Sequence, residues 1–197
     1  MLRYGYMKNT EIEIQLQIEN SKPLMRFLKT EAEFASEKHQ IDEYYSPAHR
    51  DFASKRPISE WLRIRDNGGH YSIDYKFWHR DALGKTNHCD EYGCSIGEID
   101  QIKNIFKALN FYPVVRVEKI RKIYNYQNYE IAIDHVIGLG DFVEIEYKGK
   151  SSKTPEIITQ EMLSFIKKIG VGRIKRNFVG YAFMLLAPKE KVQTEEY

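Results

Sequence analysis

The chain has 197 residues, of which 30 are lysine or arginine and 28 are aspartate or glutamate, so its formal net charge is only +2. This balance gives no bulk electrostatic reason to expect nucleic acid or an acidic membrane as a partner. The apolar share of 42% fits one folded, soluble domain, and no apolar run approaches the roughly 20 residues of a membrane-spanning helix.

The N-terminal residues and the two cysteines give no indication of a secreted protein. The first eight residues lack the apolar segment of a signal peptide, and Cys89 and Cys94 lack the second ligand pair of a zinc site. We therefore expect a cytoplasmic protein, a monomer or a homodimer, without nucleic-acid or membrane partners. A single domain should span residues 1–197, with its core over about 10–186 and a flexible tail over 188–197.

The first predicted strand, Thr10 to Ile18, alternates strictly between polar and apolar residues. Its polar face consists of Glu11, Glu13, Gln15 and Gln17. A period of two predicts a β-strand, and taken alone it is typical of a surface strand. The same Glu-x-Glu pattern recurs in Phe142 to Tyr147, which contains Glu144 and Glu146.

Helical and extended patterns follow in turn. Ser21-Lys22-Pro23 predicts a helix start, and apolar spacing carries that helix to about Lys38. Strand character returns over Gln40 to Tyr45. The cation-rich stretch from Ser46 to Pro57 is irregular, and the sequence leaves open whether it is a lid or a solvated connection.

The remaining elements complete an α+β pattern. The next predicted strands are Trp61 to Arg65, Tyr71 to Trp78 and, more weakly, Cys89 to Ile96. After a predicted helix from Glu98 to Leu109 come the strands Val114 to Tyr124, Tyr129 to Asp134 and Phe142 to Tyr147. A third helix begins near Thr154 and ends at Gly170, and the last apolar segment is Gly180 to Leu186. This gives about eight strands and three helices, with a loose repeat in which Glu-Ile-Glu opens each half.

Charged residues that share a face within each strand form a mixed set of five acids and five bases. They are Glu11, Glu13, Arg63, Arg65, Lys76, Lys119, Arg121, Asp134, Glu144 and Glu146. Because unpaired ions in a dry core cost several kcal/mol each, they should line a water-filled polar tunnel or form cross-strand salt bridges on a solvated face. Arginine and lysine hold phosphate oxygens, and carboxylates hold Mg²⁺ or Mn²⁺, so a tunnel of this kind would suit a metal-bound triphosphate.

The order of short motifs over about residues 10–186 resembles the CYTH superfamily of triphosphate tunnel enzymes. The matching motifs are Glu11-x-Glu13, Asp42-x-Tyr44-Tyr45, Arg50-Asp51-Phe52, Leu62-Arg63-Ile64-Arg65, Tyr75-Lys76, Lys119-x-Arg121-x-x-Tyr124, Asp134, Gly140-x-Phe142-Val143-Glu144-Ile145-Glu146 and Gly180-Tyr181 with Leu185-Leu186. The details look most like the class IV adenylate cyclase branch. The resemblance implies an eight-stranded antiparallel β-barrel that forms a polar tunnel with flanking helices.

The resemblance also implies roles for individual residues. The implied ligands of one or two Mg²⁺ or Mn²⁺ ions are Glu11, Glu13, Asp134, Glu144 and Glu146. The implied triphosphate-binding residues are Arg63, Arg65, Lys76, Lys119 and Arg121, with Gln15 and Lys175 as further contacts. Of the whole set, the predicted catalytic residues are Glu11, Glu13, Lys76 and Arg121.

Two departures from the family pattern bear on activity. Gln15 stands where the family has a lysine, and Cys89 and Gly93 stand where an arginine and an acid are common. We expect an adenylate cyclase-like enzyme that converts ATP to cyclic AMP and pyrophosphate. The alternatives are a triphosphatase acting on thiamine triphosphate, tripolyphosphate or a nucleoside triphosphate, and a non-catalytic polyphosphate or nucleotide sensor.

Overall fold

One antiparallel sheet of ten strands dominates the computed structural model, which describes residues 12–54, 56–80, 86–190 and 194–197. The strands are β1 (Glu13–Ile18), β2 (Glu33–Pro47), β3 (Glu60–Asn67), β4 (Tyr71–Arg80), β5 (Thr86–Ile96), β6 (Phe111–Tyr126), β7 (Tyr129–Val136), β8 (Gly140–Tyr147), β9 (Ile174–Asn177) and β10 (Thr194–Glu196). The helices are α1 (Ser21–Glu31), α2 (Ile99–Ala108), α3 (Pro155–Ile169) and α4 (Tyr181–Leu186). Within the described ranges, every helix is too short or too polar to cross a lipid bilayer.

The strand order is β10-β9-β1-β8-β7-β6-β2-β3-β4-β5, and all neighbours are antiparallel. The predicted α+β class is confirmed. The eight predicted strands correspond to β1 to β8. The prediction of a closed eight-stranded barrel is wrong, because β9 and β10 extend the sheet and no ladder joins β10 to β5 in the described residues. The alternating pattern fixes which face a side chain occupies, but it is the same in open and closed sheets.

The apolar face of the sheet carries the main core. Ile14 and Leu16 of β1 and Ile145 of β8 are buried there against α1 and α3, whose buried residues include Leu24 and Met162. A second cluster on that side packs α2 through Phe106 against β2 and β3. The three longer helices therefore cover the apolar face and leave the other face to polar residues.

The short helix α4 packs against the opposite, polar face. Its residues Tyr181 and Ala182 are buried with Val117, Val136 and Phe142, which come from β6, β7 and β8. Trp61 of β3 packs against the same cluster. Because β3 and β8 are separated by three strands in the sheet, this shared cluster indicates that the sheet curves around its polar face in an open, tunnel-like arrangement.

Three local predictions differ from the structure. The first helix ends at Glu31 rather than near Lys38, because the next residues pair with the long strand β6 and this pairing outweighs their helical spacing. The segment Gly180 to Leu186 is helical, which its apolar composition alone did not reveal. Residues 194–196, where we expected a flexible tail, form β10 on the edge of β9.

Candidate functional site

The ladder registers bring the predicted site residues onto one face, because directly paired residues of antiparallel strands share a face. Glu13 lies opposite Glu146 and Gln15 opposite Glu144, while Gln17 on the same face of β1 lies opposite Lys175. On β6, Arg121 lies opposite Asp134, and Lys119 is two residues away on the same side. Glu11 lies outside the described residues.

The same face continues across β2 to β5. Asp42 of β2 lies opposite Arg65, Arg63 lies opposite Asp74, and Lys76 lies opposite Glu91. Every predicted site residue that the structure describes is therefore on the polar face. The register thus supports the division into polar and apolar faces that the alternation predicted; the roles of the individual residues remain predictions.

Asp134 is the centre of the polar face and is fully buried. Its carboxylate accepts hydrogen bonds from Arg121 Nε at 2.7 Å, from Lys119 Nζ at 3.2 Å and from the Tyr181 hydroxyl at 2.9 Å. Burial opposes ionisation of Asp134, but Arg121 and Lys119 outweigh it and hold its pKa below the ordinary value. Both oxygens of Asp134 are therefore engaged by protein donors.

Glu144 continues this network towards β1. Its carboxylate contacts Arg121 and accepts a hydrogen bond from Gln15 Nε2 at 3.0 Å. Burial raises the pKa of Glu144, and the charges of Arg121 and Lys119 more than reverse that rise. Gln15 Oε1 is buried without a hydrogen-bond partner among the described residues, as is Nδ2 of Asn177, which lies opposite on β9. Each of these buried amide atoms therefore has hydrogen-bonding capacity that the described residues do not satisfy.

The two arginines of β3 are held by aspartates on both neighbouring strands. Arg65 forms a two-pronged pair with Asp42, at 2.6 and 2.7 Å, and Asp42 is only 3% exposed. Arg63 contacts Asp74 at 3.1 Å and lies 3.7 Å from Asp42. Burial raises the pKa of Asp42, but the hydrogen bond and charge of Arg65 lower it further, so that the net pKa is depressed.

The end of the polar face near α4 is aromatic. The rings of Tyr44 and Trp61 meet edge to face at 5.3 Å, and Trp61 lies opposite Lys76, which contacts Glu91 at 3.0 Å. Lys119 Nζ lies 4.9 Å from the centre of the Tyr181 ring. Burial, together with the charge of Arg121, lowers the pKa of Lys119. Cations and aromatic surface therefore adjoin at this end.

Acidic residues accumulate at the opposite end, on three adjacent strands. Glu146 of β8 lies between Glu13 of β1 and Glu130 of β7 in the ladder, and Lys148 Nζ contacts Glu146 at 2.7 Å. Among the described residues, no three acidic, histidine or cysteine side chains form a ready-made metal cage. The chemistry of the donor set still suits a hard divalent cation, since carboxylate oxygens are the ligands that such ions prefer.

Several residues of the polar site, among them Asp42, Asp74, Glu130 and Tyr181, were not assigned a role from the sequence. Asp42 and Tyr181 lay within recognised motifs, and Asp74 alternates with Lys76, so all three could have been found by following the polar face. Glu130 alternates with Ala132 and Asp134 on β7 and could have been found in the same way. Its register with Glu146 follows only from the strand order.

Comparisons with known proteins give a consistent family. The model of the CYTH domain matches residues 9–176. A Methanocaldococcus jannaschii protein, provisionally named an adenylate cyclase, is 32% identical over 164 residues, covering 83% of this chain and 91% of that protein. The PH1819 protein of Pyrococcus horikoshii superposes with a TM-score of 0.70 at 26% identity, over 91% of this chain and 99% of that one.

A more distant solved structure shares the fold. The Hippeastrum protein HpAC1, a provisionally assigned adenylyl cyclase described as having a dominant triphosphatase activity, superposes with a TM-score of 0.64. It is 18% identical, and the match covers 92% of this chain and 97% of that one. At that identity the likeness extends to the fold alone.

Proposed function

The chain belongs to the CYTH domain family, and from this premise we propose that it is a divalent-metal-dependent enzyme that processes a triphosphate. The reaction we favour is the adenylate cyclase type, in which ATP gives cyclic AMP and pyrophosphate. The name of the M. jannaschii relative supports this choice.

The observation that carries the proposal is the set of cations on one face of the sheet. Arg63 and Arg65 of β3, Lys76 of β4, and Lys119 and Arg121 of β6 share it. Several of these cations are already oriented by carboxylates, so little side-chain freedom remains to be lost when an anion binds. Guanidinium groups offer paired N–H donors to phosphate oxygens, and ammonium groups offer a compact charge. A chain of three phosphates matches such a row better than a single phosphate does.

The acidic end of the face completes the proposed site. Glu13, Glu144 and Glu146, together with Glu11 outside the described residues, would hold Mg²⁺ or Mn²⁺. Asp134 is retained as a predicted ligand, although in this structure it orients Arg121 and Lys119. When bound, the metal would supply positive charge against the phosphate oxygens of the leaving group. The protein residues would bind and orient the triphosphate and shield it from water.

Cyclisation and hydrolysis would use the same cations differently. A cyclase must hold the ribose 3′-hydroxyl in line with the α-phosphorus, so that the new O–P bond forms as the bond to the β-phosphate oxygen breaks, and the hydroxyl proton passes to solvent. The aromatic surface of Tyr44 and Trp61 beside Lys76 offers a place for the organic group. A triphosphatase, the activity described for HpAC1, would instead direct water at the γ-phosphorus.

Product analysis separates the three candidate functions. The full chain is incubated with ATP, thiamine triphosphate or tripolyphosphate, each with Mg²⁺ or Mn²⁺, and the products are separated by anion-exchange chromatography. Cyclic AMP with equimolar pyrophosphate would support the cyclase, whereas orthophosphate would support the triphosphatase. Tight binding, measured by calorimetry, without turnover would support the non-catalytic sensor. The absence of both binding and turnover would contradict the proposal.

A further inference from the structure

Gly93 departs from the family pattern, and its surroundings give this departure a physical meaning. It lies on β5 directly opposite Asp74 of β4, and both positions are on the polar face. A Cβ atom at residue 93 would lie 2.7 Å from Asp74 Oδ1 and 3.3 Å from the carbonyl oxygen of Ile73. The Asp74 carboxylate therefore occupies the space that a side chain at residue 93 would need.

The other oxygen of Asp74 is directed at Arg63. Its Oδ2 accepts hydrogen bonds from Arg63 Nη2 at 3.1 Å, Arg63 Nε at 3.3 Å and the Ser72 hydroxyl at 3.0 Å. The side chains of Arg63 and Asp74 are 16% and 18% exposed, so water screens this pair little. Arg63 Nη1 also lies 3.7 Å from Asp42 Oδ2, which is too far for a hydrogen bond. Asp74 is thus the carboxylate that hydrogen-bonds this guanidinium, which also interacts with the side chain of Tyr44, its ladder partner on β2.

We propose that Asp74, whose carboxylate packs against the backbone of Gly93, is a positioning residue that orients Arg63 for binding a triphosphate. This inference rests on the proposed function, because it assigns Arg63 to phosphate. Gly93 serves the site by having no side chain, since any Cβ would displace the carboxylate that holds Arg63. The glycine is then a requirement of this chain's arrangement and not a loss from the site.

A double-mutant cycle tests this coupling. Asp74→Ala, Gly93→Ala, the double variant and the matched control Gly97→Ala are compared by calorimetry with tripolyphosphate and Mg²⁺, alongside thermal unfolding. Gly97 is a suitable control because a Cβ there would meet no atom of the described residues within 4 Å. We expect Asp74→Ala and Gly93→Ala each to raise Kd about tenfold, the scale of one charge-assisted hydrogen bond. The double variant should match Asp74→Ala alone, because the clash disappears with the carboxylate.

Kinetics distinguish positioning from a general structural effect. On whichever triphosphate the wild type turns over, the two single variants should raise KM and leave kcat within about twofold, because Arg63 is displaced and not removed. An unchanged Kd in Asp74→Ala, or single effects that add in the double variant, would overturn this inference while leaving the proposed function intact. A lower melting temperature with unchanged Kd would do the same. Failure of the wild type to bind any triphosphate would overturn both.

Discussion

At the scale of single residues, the polar face depends on pairing more than on exposure. Lys119 is 3% exposed and Asp134 is fully buried, yet each has a partner of opposite charge. A buried ion pair gains little over apolar residues of the same size, but removal of one partner leaves a buried charge uncompensated and costs about 3–5 kcal/mol. Lys119 and Asp134 therefore add little stability compared with apolar residues. Their presence is consistent with the proposal that this face binds an ion.

The depressed pKa of Asp42 predicts a specific dependence of stability on pH. A lowered pKa in the folded state means that the ionised form contributes stability above the unfolded pKa of about 4, and that this contribution is lost as pH falls through the folded value. Asp42→Asn should therefore be destabilising by a constant amount between pH 5 and 8, and the difference should shrink below pH 4. Urea unfolding across that range measures it. A difference that does not change with pH would show that the charge of Asp42 is not what stabilises the fold.

Glu146 provides the test of the metal-binding end. It lies next to Glu13 and Glu130 in the ladder and contacts the exposed Lys148, so Glu146→Ala removes a metal ligand, the repulsion between neighbouring acids and an ion pair that contributes little to stability. We expect the affinity for Mn²⁺ to fall about tenfold or more while the melting temperature stays the same or rises. Calorimetry with Mn²⁺ alone provides the measurement, with the exposed Glu31→Ala as control. Unchanged Mn²⁺ affinity, or an unfolded variant, would remove Glu146 from the proposed metal site.

At the scale of elements, the helix α3 and the proposed site lie on opposite faces of the sheet. The core of α3 consists of buried side chains on the apolar face, and among them Met162 is fully buried. Among the described residues, the cluster that α3 forms does not include the charged residues of the polar face. Changes in α3 should accordingly alter the free energy of unfolding without altering the site.

Met162→Ala tests this separation. Loss of a buried methionine side chain should cost about 2–5 kcal/mol of unfolding free energy through lost burial and a residual cavity. Triphosphate affinity of the folded fraction should stay within about twofold of wild type. Ser164→Ala, at an exposed position of the same helix, is the control and should change neither quantity. A Kd that rises with Met162→Ala would mean that the two faces are coupled.

At the scale of the whole molecule, the sequence predicted which face of the sheet each charged side chain occupies, but it did not predict whether the sheet closes into a barrel. Alternation in β1, β3, β6 and β8 was enough to assign Glu13, Arg63, Arg121 and Glu144 to one side, because a period of two leaves no other choice. Whether a sheet closes depends on contacts between its first and last strands, which are remote in sequence. Helix α4 was missed for a related reason: six apolar residues suit either a short strand or a short helix. Long-range packing decides between them.

The partners in the ion pairs of the site also could not be predicted from the sequence. Arg65 and Asp42, or Lys119 and Asp134, carry no local mark of being partners, and their pairing follows from strand order. Resemblance to a family supplied residue roles, whereas the structure supplies the partners that orient Arg63, Arg65 and Arg121.

The central claim is that the polar face, and not the molecule's overall charge, binds a triphosphate. Neighbouring residues of β6 test it directly, because Arg121 faces the polar side and Lys122 the other, where it contacts Glu37. Calorimetry with tripolyphosphate and Mg²⁺ compares wild type, Arg121→Ala, the less buried Lys76→Ala and Lys122→Ala, each checked for folding by circular dichroism. Arg121→Ala and Lys76→Ala should each weaken binding tenfold or more, about 1.4 kcal/mol, while Lys122→Ala stays at wild-type affinity. Equal losses from Lys122→Ala and the polar-face variants, or no binding by the wild type, would contradict the account.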